Sequence, residues 1–183
     1  MRDDTAAHRT LVLGGARSGK SAHAEGLLSG PATYVATARR HPGDAEWDAR
    51  IARHVDRRPG TWRTVETPSP AELPALLAAA EPDDPPVLVD DVATWLTSVV
   101  DDAGAWDGEG ADEVERACAR LVGAVASCRA RLVLVSAEVG LGVVPATRSG
   151  RLFRDHLGSL NARLAEGCDE VLLLVAGIPL RLR

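Results

Sequence analysis

Short, nearly unbroken apolar runs alternate along the chain with longer stretches that repeat every three to four residues. TLVL (residues 10–13), ATYVA (32–36), PVLV (86–89), RLVLVS (131–136) and EVLLLVA (170–176) are the runs. Each is four to seven residues long and lacks the in–out alternation of a half-exposed strand, so each predicts a strand buried on both faces. Residues 61–65 predict a further short extended piece. The helical patterns fall at 20–28, 46–58, 70–80, 93–100, 112–129 and 147–166. Pro59 disfavours helix in the residue before it and stops the second of these. A polar, glycine-rich stretch, 101–110, is a predicted loop. Strand and helix alternate throughout, which predicts right-handed βαβ crossovers and a mostly parallel sheet covered on both sides. GIP, from Gly177, turns the last buried run back on itself, so 180–183 is expected to be an antiparallel edge strand.

Composition narrows this picture. The chain has 183 residues, a length for one domain with a full core. No internal repeat or linker divides it, so 10–183 is read as a single domain and 1–9, a polar stretch, as a flexible tail. Aromatic residues are only 3%, so the core must be built from alanine, valine and leucine. Acidic residues (26) exceed basic ones (21), which argues against a nucleic-acid surface. No apolar signal segment opens the chain, and its densest apolar run is too short to span a bilayer. Cys118, Cys128 and Cys168 are far apart and form no CxxC pair, which points to a reducing compartment and no structural zinc. A cytoplasmic protein with no membrane span is expected.

The clearest chemistry lies directly after the first strand. Gly14, Gly15, Ala16, Arg17, Ser18, Gly19, Lys20 and Ser21 spell GGARSGKS, which fits the phosphate-loop pattern GxxxxGK[ST] between a strand and a helix. The glycines let backbone N–H groups turn inward on a phosphate, and the helix N-terminus adds partial positive charge. Lys20 is the only lysine; every other basic residue is arginine. A compact ammonium on a flexible stem reaches terminal phosphates where a planar fork does not. Ser21 is the expected Mg²⁺ ligand. Asp90 ends the buried run PPVLVDD and is the expected carboxylate partner of that Mg²⁺. Asp91 is better placed to cap the following helix.

A second constellation is EWDARIARHVDRRPGTWRTVE, residues 46–66. On a helix, Trp47, Ile51, His54 and Arg58 share a stripe, with Arg50 one turn before His54. A histidine among arginines keeps its neutral, nucleophilic form, and the arginines attract phosphates. By itself such a histidine, on a polar helix, is usually just solvated. Further along, Glu138 follows a buried strand, where it is read either as a base or Mg²⁺ partner or as a solvated loop carboxylate. Arg148, Arg151 and Arg154 crowd a helix N-terminus against the macrodipole, which implies a phosphate or acidic partner or else a solvated face. His23, His41 and His156 lack such company and are read as surface residues.

Taken together, GGARSGKS (14–21), RIARHVDRRPGTWRTVE (50–66), EVGLGVVP (138–145), RLFRDHLGSLN (151–161) and the closing DEVLLLVAGIPLRLR (169–183) resemble one family. It is the bifunctional adenosylcobinamide kinase/adenosylcobinamide-phosphate guanylyltransferase family of cobalamin biosynthesis. The resemblance implies a P-loop NTPase (RecA-like) α/β fold and a homotrimer. It implies phosphorylation of the aminopropanol hydroxyl of adenosylcobinamide by ATP or GTP, followed by transfer of GMP from GTP through a guanylyl-histidine. His54 matches that histidine. Ala36, Thr37, Ala38, Val55, Asp56, Arg57, Arg58, Glu66 and Asp90 are implied to line the nucleotide site. Ala137 and Ala162 stand where the family pattern has Asn and Gln, and Asp91 where a small residue is usual. The alternatives are a P-loop small-molecule kinase without the guanylyl step, and a nucleotide-binding regulator without chemistry.

Overall fold

A computed structural model describes residues 8–39 and 59–183. Seven strands form one sheet: β1 (Arg9–Gly14), β2 (Thr33–Ala36), β3 (Arg63–Glu66), β4 (Val87–Asp90), β5 (Leu132–Ala137), β6 (Glu170–Val175) and β7 (Ile178–Arg181). The helices are α1 (Lys20–Gly26), α2 (Glu72–Ala79), α3 (Val92–Asp102), α4 (Ala111–Ser127) and α5 (Arg148–Gly167). The strand order is β3-β2-β4-β5-β1-β6-β7, parallel except for β7 against β6.

The unbroken apolar runs have the expected cause. In β1, Leu11 and Leu13 face one layer and Val12 the other; in β5, Leu132 and Leu134 oppose Val133 and Val135. The larger layer gathers Trp95, Leu96, Leu121, Leu157, Leu160 and Leu164 from α3, α4 and α5. The smaller one places Ala24 of α1 and Leu28 beyond it against Tyr34, Leu88 and Leu172. A sheet buried on both faces needs apolar residues at every position, and so loses the period-two signature.

Several boundaries shift for local reasons. Arg9, placed in the tail by its polar surroundings, belongs to β1. Its N–H donates to Asp169 (2.8 Å), and its guanidinium donates to the carbonyls of Ala126 and Cys128. The 101–110 stretch contains the last turn of α3 and a 3₁₀ turn, Ala105–Asp107. Helix α2 starts after Pro70, where Ser69 and Glu72 bond reciprocally: Glu72 Oε1 accepts from the Ser69 N–H, and the Ser69 carbonyl accepts from the Glu72 N–H. The β6–β7 turn takes two residues, Ala176 (φ 51°) and Gly177 (φ 80°). Two consecutive left-handed residues match the twist of a tight hairpin, so β7 begins two residues earlier than expected. The predicted 46–58 helix lies outside the described residues.

Asn161 ties α5 to the sheet. It accepts from the Ser136 hydroxyl (2.7 Å) and donates to the Ala137 carbonyl (3.0 Å), and it is buried. Asn161→Ala strands both partners in the interior and is expected to cost about 1–3 kcal/mol in urea unfolding. An unchanged midpoint and slope would remove this role.

Candidate active site

The phosphate loop leaves β1 at the centre of the sheet. Gly14 lies where a side chain is excluded: an added Cβ would press into Ser18 Oγ and sit 3.1 Å from the Leu174 carbonyl oxygen. Gly19 adopts φ +88° at the cap of α1, and Arg17 is left-handed at φ 56°. Both flanks are held by backbone bonds. The Glu138 N–H donates to the Gly14 carbonyl (3.0 Å), and the Gly177 N–H donates to the Ser18 carbonyl (3.0 Å). The Lys20 ammonium lies over the loop, 3.4 Å from the Gly15 carbonyl.

Sheet register assembles the second wall. Ala36 pairs with Glu66 on one side and Asp90 on the other, so Glu66, Ala36 and Asp90 form a row across β3, β2 and β4. Across α1, the Ser21 hydroxyl donates to Asp90 Oδ1 (3.2 Å). A hydroxyl and a carboxylate oxygen at this spacing are hard oxygen donors that would suit Mg²⁺. Tyr34 also donates to Asp90, at 2.8 Å on Oδ2.

The structure separates the two adjacent aspartates. Asp91 caps α3, accepting from the Thr94 N–H (2.7 Å), as expected from its position. Burial, together with the charge of Asp90, pushes its carboxyl above the usual range. Thr37, implied to line the nucleotide site, spends its hydroxyl internally: it donates to the Asp91 carbonyl (2.7 Å) and accepts from the Asp91 N–H (3.0 Å). It therefore clamps the β4–α3 joint. Arg39 closes this side with a bidentate pair to Asp102, both contacts 2.6 Å, and a bond to the Pro68 carbonyl. Arg39 and Asp102 hold each other charged, raising the guanidinium pKa and lowering that of the carboxyl.

Glu138 Oε1 accepts from the Gly140 N–H (2.6 Å), closing a turn in its own loop. Two of the three arginines at the start of α5 find main-chain partners. Arg151 donates to the carbonyls of Pro145 and Ala146, and Arg154 to that of Gly140. Arg151 and Arg154 thereby lace the 139–147 loop to α5. Arg50, His54, Val55, Asp56, Arg57 and Arg58 lie outside the described residues.

Two contributors escaped the sequence reading. Tyr34 was visible as a polar atom inside the buried run ATYVA. Gly177 read as a turn residue, and nothing local signalled its bond to Ser18.

A strand, a glycine-rich turn, a helix opening on Lys20–Ser21 and a facing strand-end carboxylate define a P-loop nucleotide-binding site. Residues 10–182 match the family model described as cobinamide kinase / cobinamide phosphate guanyltransferase. The chain is 38% identical over 180 residues to the bifunctional adenosylcobalamin biosynthesis protein CobU of Salmonella typhimurium, covering 94% of this chain and 98% of that protein. It is 42% identical over 180 residues to the corresponding CobP of Pseudomonas aeruginosa (96% and 97% covered), and 40% identical over 182 residues to CobU of Escherichia coli (94% and 98%). The chain belongs to the cobinamide kinase / cobinamide phosphate guanyltransferase family, and is a transferase of that bifunctional class.

Gly14→Ala is expected to lower GTP affinity by about tenfold or more, because either Ser18 or the loop must move to admit the methyl group. Equilibrium binding of a fluorescent GTP analogue measures this. Wild-type affinity in the variant would show that the close approach is not required.

Proposed function

We propose that both transfers run on the one triphosphate site described above. The observation that carries this reading is the loop held at Gly14 and Ser18, with Lys20 and the Ser21–Asp90 pair facing its opening. In the first reaction the aminopropanol hydroxyl of adenosylcobinamide attacks the γ-phosphorus of ATP or GTP. The O–P bond to the β-phosphate breaks, the nucleoside diphosphate leaves and the hydroxyl proton is lost. The loop N–H groups and Lys20 supply position and charge stabilisation. In the second reaction a ring nitrogen of neutral His54 attacks the α-phosphorus of GTP and expels pyrophosphate. A phosphate oxygen of adenosylcobinamide phosphate then attacks the guanylyl phosphorus, the P–N bond breaks, and adenosylcobinamide-GDP is formed. Ala36, Ala38, Val55, Asp56, Arg57, Arg58 and Glu66 line the nucleotide in this reading, and Thr37 acts by holding the Asp91 peptide. Mg²⁺ is held by Ser21 and Asp90, and when bound it neutralises phosphate charge.

The same reading makes the protein a cytoplasmic homotrimer. Support for assembly comes from the β6–β7 hairpin, where Val175, Ile178 and Leu180 are exposed; residues paired or stacked across it (Val175 with Ile178, Leu173 with Leu180) form one apolar face. Support for a reducing compartment comes from the thiols. All three cysteines are buried and unbridged, and burial pushes Cys118 and Cys168 up to about 11. No helix among the described residues is long and apolar enough to cross a membrane.

With α-labelled GTP the chain is expected to acquire one GMP in a bond labile to acid and stable to alkali. His54→Ala should lose that label while retaining part of the kinase activity. Lys20→Ala and Lys20→Arg should each lose about 100-fold or more in both reactions. Labelling retained in His54→Ala would exclude a nucleophile there, and near-normal turnover in Lys20→Arg would remove the need for an ammonium. Ile178→Ser with Leu180→Ser should shift the mass measured by light scattering from trimer toward monomer. A trimer that persists would place the interface elsewhere.

A further inference from the structure

Among the buried polar groups of the described site that the reaction scheme leaves unused is the phenol of Tyr34. Its ring is packed between the apolar side chains of the smaller layer and is only 3% exposed. Strand register explains its reach. Tyr34 pairs with Leu88 and Ala36 pairs with Asp90, so Tyr34 lies two residues before the row that carries the carboxylate. A serine or threonine at that position is too short to span two residues of strand, whereas a tyrosine spans it with its hydroxyl at the end of a rigid ring. The hydroxyl donates to Asp90 Oδ2 at 2.8 Å, and the other carboxylate oxygen, Oδ1, accepts from Ser21 at 3.2 Å.

We propose that Tyr34 is a positioning residue that orients the Asp90 carboxylate, turning Oδ1 toward Ser21 and the metal position. The proposal rests on the assignment of Asp90 and Ser21 to Mg²⁺. An aspartate carboxylate rotates about its last bond at little cost, and its two oxygens are equivalent until something distinguishes them. A charge-assisted bond from a packed ring does so. Thr37, directly after the end of β2, holds the peptide that follows Asp90, so this strand and its extension fix both ends of the residue. A supporting side chain with its own rotamer locked by packing is what a pre-organised ligand requires.

Tyr34→Phe removes one oxygen and keeps the ring. Wild type, Tyr34→Phe, Asp90→Asn and the double variant are titrated with a fluorescent GTP analogue, once in excess Mg²⁺ and once in EDTA. Melting temperatures are recorded alongside. The expected result is that Tyr34→Phe binds nucleotide in EDTA as wild type does, while its Mg²⁺-dependent gain in affinity falls about tenfold. In the Asp90→Asn background the same change should have no further effect on that gain. A Mg²⁺-dependent gain unaltered in Tyr34→Phe but lost in Asp90→Asn would overturn the role of Tyr34 and leave the metal assignment standing. A gain unaltered in Asp90→Asn would overturn both. A melting temperature lowered with no change in the gain would make the hydroxyl purely a stabilising group.

Discussion

Everything at the site depends on how closely the backbone can turn at the end of β1. That strand is central, buried on both faces and paired to β5 and β6. Its next residue therefore emerges into a space bounded by neighbouring strand ends. With a glycine at position 14 the chain folds back on Ser18, and two N–H groups from opposite sides secure it. One comes from the loop after β5, the other from the β6–β7 turn. A loop pre-set in this way presents its amides to a phosphate without ordering them on binding, which concentrates the favourable interaction on the ligand.

Charge around the loop is arranged by depth. The two adjacent aspartates at the end of β4 would repel each other if both served the same ligand. The structure divides them: Asp91 turns to the N-terminus of α3, where backbone amides and the helix dipole receive it. Asp90 turns to Ser21 and Tyr34. Arg39 and Asp102 then fasten the outer edge beyond β2. Their pair is partly exposed and bidentate, so its value lies in geometry more than in energy.

The start of α5 shows the same economy. Three arginines in two turns oppose the dipole, and a strand-end carboxylate stands before them. Arg151 and Arg154 are drawn onto carbonyls of the loop they follow, and Glu138 onto an amide of that loop. The result is a stiffened segment between β5 and α5, attached through the Glu138 amide to Gly14. The apolar side chains it displays, Leu141, Val143 and Val144, are exposed.

The alternation of buried runs and helical periods was enough to predict a mostly parallel sheet and a terminal antiparallel strand. The reason is that burial on both faces is written residue by residue into the inner strands, while the outer strands β3 and β7 are largely exposed. The phosphate loop was equally legible, since glycines, one lysine and a hydroxyl at fixed spacing describe a conformation made by consecutive residues. Asp90 and Asp91 were separable because one follows a strand and the other precedes a helix. Sequence could not show the partners that arrive from elsewhere in the chain. Arg9 looked like tail because Asp169 and the α4 carbonyls that hold it are more than a hundred residues away. Nothing in the sequence linked Thr37 to the Asp91 peptide that it clamps, 54 residues further along the chain. Tyr34 and Gly177 carried no sign of Asp90 or Ser18, since only parallel register and the hairpin's placement beside β1 bring those atoms within hydrogen-bond distance. Local sequence determined which segments become strands, helices and a phosphate turn; long-range packing alone decided which oxygen and which amide each polar group would meet.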